Sequence, residues 1–280
     1  MKTTLAFLVV AALSLGGLAQ TAEELISQAD TLFQEVWTTE YTLEAHDALQ
    51  AKLEQAISLY ERALEQDEGN VQVLAMLSRC YYMLADIFVP QDEKKRTHVI
   101  GQEYGERALR ATPGFVDLEK SDGFVAAVRA CESVEALYWT YGNWARKVEL
   151  GGAMGLVAAA MRGDDKKLRA MVERCAELDP DYLAGGPHRS LGAYWAKHPF
   201  HKDFDKAREL FQQAMASFPD YLENTYFYVR YYLIPNDKWE EAAQKLEEIL
   251  AAPLGDYPLE NAVVKLRAQQ LLDEEVRPHL

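Results

Sequence analysis

The chain has 280 residues, of which 49% are apolar and 26% charged, and its formal net charge is −15. So acidic a chain repels phosphate backbones and anionic headgroups, which excludes nucleic acid and anionic lipid as default partners. The apolar share is enough for a sizeable core, and a chain built by adding repeats reaches this length without a second domain.

Residues 1–19 read as an export signal. Lys2 supplies the positive start, residues 5–15 form the apolar run, and Gly16-Gly17 breaks it before the small residues of Gly17-Leu18-Ala19. The run is short for a membrane span, and no later stretch approaches spanning length by this reading. The expectation is one exported, all-helical domain over residues 20–280, without an integral membrane segment. Cys80, Cys131 and Cys175 are odd in number, fit no zinc spacing and sit among apolar residues, so they read as small buried hydrophobes.

From Ala22 onward the hydrophobic period is helical. Leu49, Leu53, Ala56, Ile57, Tyr60, Ala63 and Leu64 recur at steps of three and four and share one face. Turn signals separate the helices at Glu68-Gly69-Asn70, Pro113-Gly114, Asp179-Pro180, Gly185-Gly186-Pro187, Pro219-Asp220 and Pro253. A pattern recurs before five of these turns. Its copies are Ala56-x3-Tyr60-x2-Ala63, Gly101-x3-Gly105-x2-Ala108, Leu168-x3-Val172-x2-Cys175, Ala207-x3-Phe211-x2-Ala214 and the weaker Ala242-x3-Leu246-x2-Ile249. A small residue lets helices approach, a larger one fills the gap a turn later, and a second small one admits the next helix. This is the second-helix signature of the tetratricopeptide repeat. First helices are expected over 71–89, 183–197 (with Leu191-Gly192-x2-Trp195) and 221–234, and an extra helix fits over about 122–150. The fold class is therefore all-α, a tetratricopeptide-like helical-hairpin solenoid with an extra inserted helix.

Candidate binding residues come from unusual clusters. Tyr138, Tyr141 and Trp144 are three apart and share a face, suited to gripping a partner or an organic ligand, whereas Trp139 points elsewhere. The competing reading packs them into the core. Tyr226 to Tyr232 carries aromatics on all sides, which makes Tyr226 and Arg230 candidates for a groove or an oligomer contact. His188 and Arg189 follow Gly185-Gly186-Pro187 at a helix start, where a carboxylate is favoured; a tight turn with a surface arginine is the plainer reading. Trp195 joins them from the repeat pattern. His198 and His201 straddle Pro199 in a loop, and no metal site is expected there. No G-x-S-x-G, phosphate loop, H-E-x-x-H or dinucleotide fingerprint is present, and the carboxylates read as solvated helix faces. Neither catalysis nor a cofactor is expected.

The aromatic helix Val134 to Ala145 resembles that of the TatT family, the T components associated with TRAP transporters. So do Leu178-Asp179-Pro180-Asp181-Tyr182 through His188 to Ala193, Asp205 to Phe211, and Pro258-Leu259-Glu260-Asn261-Ala262 with Lys265, Ala268 and Leu271-Leu272. The resemblance implies a periplasmic protein that partners a TRAP-type solute-binding subunit, and a homotrimer with a central pore. It departs from the many lipoprotein relatives in having no cysteine after the signal, so release after cleavage is expected. The alternatives are a generic periplasmic scaffold for envelope assembly and a carrier of an apolar ligand.

Overall fold

The computed structural model describes residues 20–280, and the segment read as a signal lies outside them. Every regular element among the described residues is helical. Helix α1 (Ala22–Trp37) pairs with α2 (His46–Leu64), and α3 (Val71–Met83), prolonged by a π turn at Leu84–Phe88, pairs with α4 (Gln91–Ala111). The short α5 (Phe115–Asp122) and α6 (Phe124–Ala130) lead to α7 (Val134–Glu149), α8 (Gly152–Arg162) and α9 (Asp164–Leu178). Then α10 (Tyr182–Lys197) pairs with α11 (Phe204–Ser217). Helix α12 (Leu222–Tyr228), prolonged by a π turn at Val229–Leu233, packs on α13 (Trp239–Ala251), and α14 (Pro258–Leu271) ends the repeat series.

Side chains written into the sequence start these helices. Thr21 Oγ1 accepts from the Glu24 backbone N–H at 3.2 Å, while Glu24 accepts from the Thr21 N–H at 2.9 Å, a complete capping box. Asn70, Ser133 and Asp203 cap α3, α7 and α11 in the same N-cap role. The Ser133 cap also corrects one expectation. The inserted stretch 122–150 is two helices, because Cys131 is extended and Ser133 begins a new turn.

The five small–large–small copies fall on α2, α4, α9, α11 and α13, and all fifteen of their named positions are buried. The closest approach joins α4 to α7, where a Cβ on Gly105 would collide with Thr140. Beneath it lies a satisfied polar knot. Ser78 Oγ donates to the Gly101 carbonyl at 2.7 Å, and Asn143 Nδ2 donates to the Ser78 carbonyl at 2.8 Å. Burial pushes His98, on Asn143 Oδ1, down to about 4, so it is neutral and donates from Nδ1. The three cysteines are buried and free.

Residues Val71–Phe88 are long and apolar enough to cross a membrane, contrary to the expectation that no such stretch exists. They form a core helix, packed on α4 and α7, that carries Arg79 and Asp86 inward.

The stack has two apolar cores, one built mainly from α1 to α9 with Leu191 of α10 and Leu259 of α14, and one spanning α10 to α14. Its inner helices are α3, α7, α10, α12 and α14. The chain curves until α14 meets α1, and Arg267 of α14 reaches back to Asp86. The concave face of the solenoid is thereby folded around a cavity between the two cores.

Candidate functional site

The cavity offers about 90 Å³ to the centres of water-sized groups, room for several waters or a small organic molecule. Its wall comes from the inner helices, the end of α1 and the π turn after α3. Tyr82, Tyr138, Trp139, Tyr141, Phe227 and Tyr231 give it aromatic surfaces.

Charged side chains converge on the same space. At one end Arg146 bridges Asp86 and Glu149, with the Glu149 contact at 3.0 Å. Asp86 sits in the π turn, where the extra residue per turn re-aims side chains. Burial acts to raise the Asp86 carboxyl, but Arg267 and Arg146 outweigh it and hold it well below the carboxylate range. Glu149 behaves alike: burial is overcome by Lys197 at 3.2 Å, by Arg146, and by the Tyr231 hydroxyl that donates at 2.8 Å.

Arg189 anchors another part of the wall and is 2% exposed, which overturns its reading as a surface arginine. Its Nε forms an ion pair with Glu223 at 3.1 Å, and its Nη1 donates to Asn224 Oδ1 at 2.7 Å. The guanidinium lies 4.8 Å from the centre of the Tyr221 ring. Asn224 in turn donates to the carbonyls of Ala184 and Ala214, each at 3.1 Å. This secures a strained turn, because Leu183 and Ala184 hold left-handed φ values of 49° and 52°. Gly186 follows, and a Cβ there would lie 2.6 Å from the Tyr138 hydroxyl. The glycine lets Tyr138 reach the wall.

Two ionisable lining groups lack an ionic partner among the described residues. The Arg79 guanidinium stacks 4.6 Å from the Phe33 ring and 4.3 Å from the Trp37 ring, and its Nε is buried with no hydrogen-bond partner. Glu260, in the first turn of α14, has both carboxylate oxygens shielded from solvent and without a partner. Burial pushes it up to about 8, against the smaller opposing pull of Arg79.

A second cavity of about 60 Å³ lies under α8 and shares Tyr141, Glu149 and Lys197 with the first. The outer side of α8 exposes Met154 and Met161, each 80% exposed.

Of the residues singled out in the sequence, Tyr138, Tyr141 and Arg189 meet in the wall. Trp139 joins them, although helical spacing had turned it away. Trp144 does not; it packs edge-on against Phe124 under Lys147 and Lys167. His188 and Trp195 are half-buried and outside the wall, Trp195 beneath the Lys206 ammonium at 4.0 Å. Tyr226 is buried elsewhere and Arg230 is exposed; from that helix Phe227 and Tyr231 line the cavity instead. His198 Nδ1 accepts from the backbone N–H groups of Phe200 and His201 and thereby ties its loop. Sequence reasoning missed Arg79, Asp86, Arg146, Glu149, Glu223 and Glu260, having assigned the carboxylates to solvated faces. The signal available was a charge inside an apolar run, as with Arg79 and Asp86 in α3 and its π turn.

The chain matches the family model of the TRAP transporter T-component over residues 47–277, well over half its length. No curated protein matches it. A crystal structure of yeast Tom70 aligns with 12% identity and a TM-score of 0.30, over 99% of this chain and 69% of that one.

Proposed function

The chain belongs to the TRAP transporter T-component family, and from that membership we propose that it is a periplasmic, non-catalytic accessory component of a TRAP-type transporter. In this reading it docks the extracytoplasmic solute-binding subunit and holds an organic ligand in its cavity. The observation that carries the reading is the closure of the concave face around an aromatic and charged cavity. Concave pockets with apolar walls and a few placed polar groups are the usual form of a small-molecule site.

The same closure bears on docking. A solenoid usually offers its concave face to partners, and here that face lines the cavity. Docking then falls to the outside, where α8 offers an uncharged helix from Gly152 to Met161 with two exposed methionines. Methionine suits adaptable contact surfaces. Assembly of copies into a trimer, which the family resemblance implies, competes for such a surface.

The test is a pull-down of the tagged protein from cross-linked envelope extract, identified by mass spectrometry. Recovery of a solute-binding subunit in near-equal amount is expected. Recovery of envelope-assembly factors instead would move the assignment to a scaffold.

A further inference from the structure

We infer that the cavity takes a small zwitterion, with the ligand's carboxylate on Arg79, its ammonium on Glu260 and its apolar body against the aromatic wall. This rests on reading the cavity as an organic-ligand site and names the class of ligand.

The argument starts from which charges are already satisfied. Asp86 is held by Arg146 and Arg267, Glu149 by Arg146 and Lys197, and Glu223 by Arg189. These pairs leave little for a ligand, since every member already has a counter-charge. Arg79 and Glu260 differ. Three of their buried polar atoms, Arg79 Nε and both Glu260 oxygens, lack hydrogen-bond partners among the described residues. Both residues line the one cavity. They do not pair with each other, yet the Arg79 charge is felt at Glu260. An unpaired guanidinium and an unpartnered carboxyl that line one space without pairing with each other suit a molecule that carries both signs, the carboxyl giving up its proton to the ammonium.

Other occupants leave something unsatisfied. A simple organic anion would pair with Arg79 and leave the protonated Glu260 carboxyl with unpartnered oxygens in a dry wall. A simple amine would pair with Glu260 and leave Arg79 with only its aromatic neighbours. Unpaired buried polar groups of this kind normally have a water, ion or ligand as partner. The aromatic rings add attraction for an ammonium, through the negative faces of their π systems. Binding also couples to protons: burial makes Glu260 a weaker acid, so it gives up a proton when it meets an ammonium. The groups facing it that shape this titration are Arg79, Glu223, Arg189 and its own backbone N–H.

The experiment is titration calorimetry of residues 20–280 with matched probes. These are L-leucine and L-phenylalanine, each beside its decarboxylated amine and its deaminated acid. At least one zwitterion is expected to bind roughly tenfold or more tightly than both of its mono-charged analogues, since each analogue leaves a buried group unpaired. Glu260→Gln is expected to abolish that advantage over the acid, and Arg79→Met the advantage over the amine. In buffers of different ionisation heat near pH 7, the zwitterion is expected to release a proton from the wild-type protein and none from Glu260→Gln. Tighter binding of an acid or amine overturns the zwitterion while leaving the cavity a ligand site. Failure of all probes to bind overturns the zwitterion, and if native mass spectrometry of envelope-purified protein also shows no small molecule, the ligand-site reading falls with it. Docking of the solute-binding subunit, read by pull-down, is independent of either result.

Discussion

The outer and inner helices of the stack put their side chains to opposite uses. Outer helices α2, α4, α9, α11 and α13 bury small–large–small rows and, Asp164 at the start of α9 apart, carry their charges outside the buried rows, as in the Arg110 pairs with Glu106 and Glu119. Inner helices α3, α7, α10, α12 and α14 turn charged side chains inward and hold them with partners drawn from distant parts of the chain, such as Asp86 with Arg267. The outer layer is stabilised by removing apolar surface from water, which is insensitive to pH. The inner layer depends on ionisation states and on geometry, because a buried charge is tolerated only while its partner stays in place. One layer makes the solenoid and the other gives it something to do.

The largest effects separate the layers by mechanism. Phe211→Ala, in the outer layer, removes a fully buried ring and is expected to cost about 4 kcal/mol. Thermal or urea denaturation should give the same loss at pH 5 and at pH 8. Arg189→Met, in the inner layer, leaves Glu223 and Asn224 without their partner. It is expected to cost about 3 kcal/mol at pH 7. A loss below about 1 kcal/mol in the Arg189 variant would erase the distinction between the layers.

Glu260 sharpens the comparison by reversing the usual sign. Its carboxyl is raised from an ordinary 4.5 to about 8. Between those values the folded chain keeps a proton that the unfolded chain has lost. Stability from this group is therefore complete below pH 4.5 and declines as pH rises towards 8. Glu260→Gln removes the decline. The variant is expected to match the wild type near pH 4 and to be more stable by about 2–3 kcal/mol at pH 7, in the absence of ligand. A mutation that strengthens the fold while weakening binding is the mark of a residue kept for function.

The two layers also differ in how far the sequence reveals them. The outer rows repeat, and repetition makes Ala207, Phe211 and Ala214 readable without any knowledge of the rest of the chain. The cavity wall does not repeat. Arg79, Arg189 and Glu260 come from three different hairpins, and each looks local until the ring closes. Arg189 read as a surface residue because nothing nearby in sequence announces Glu223 and Asn224, more than thirty residues later. Trp139 was turned away by ideal helix spacing, whereas a wall formed by five inner helices around one space collects a wider arc of α7. The insertion at 122–150 split because Ser133 offers a cap that periodicity alone does not weigh. Local chemistry was legible; closure of the ring, a property of the accumulated curvature, was not.

The smallest expected change in stability falls on neither layer but on α8, which lies against α7 and α9 and shows its methionines to solvent. Met154→Ser with Met161→Ser removes exposed apolar surface and breaks no internal contact network, so stability should stay within about 0.5 kcal/mol of the wild type. Partner capture is where the change is expected. If α8 is the docking helix, the double variant should lose most of the solute-binding subunit in a cross-linked pull-down while keeping its cavity and its response to small-molecule probes. Replacing two exposed residues on an outer helix, the pair Arg62→Ser and Glu65→Ser on α2 and its C-cap, gives the matched control and should leave capture intact. Capture lost equally in both would mean that docking is spread over the outer surface, and capture lost in neither would move it away from α8. Either way the ligand and the partner are separated by experiment, because the cavity faces inward and the methionines face out.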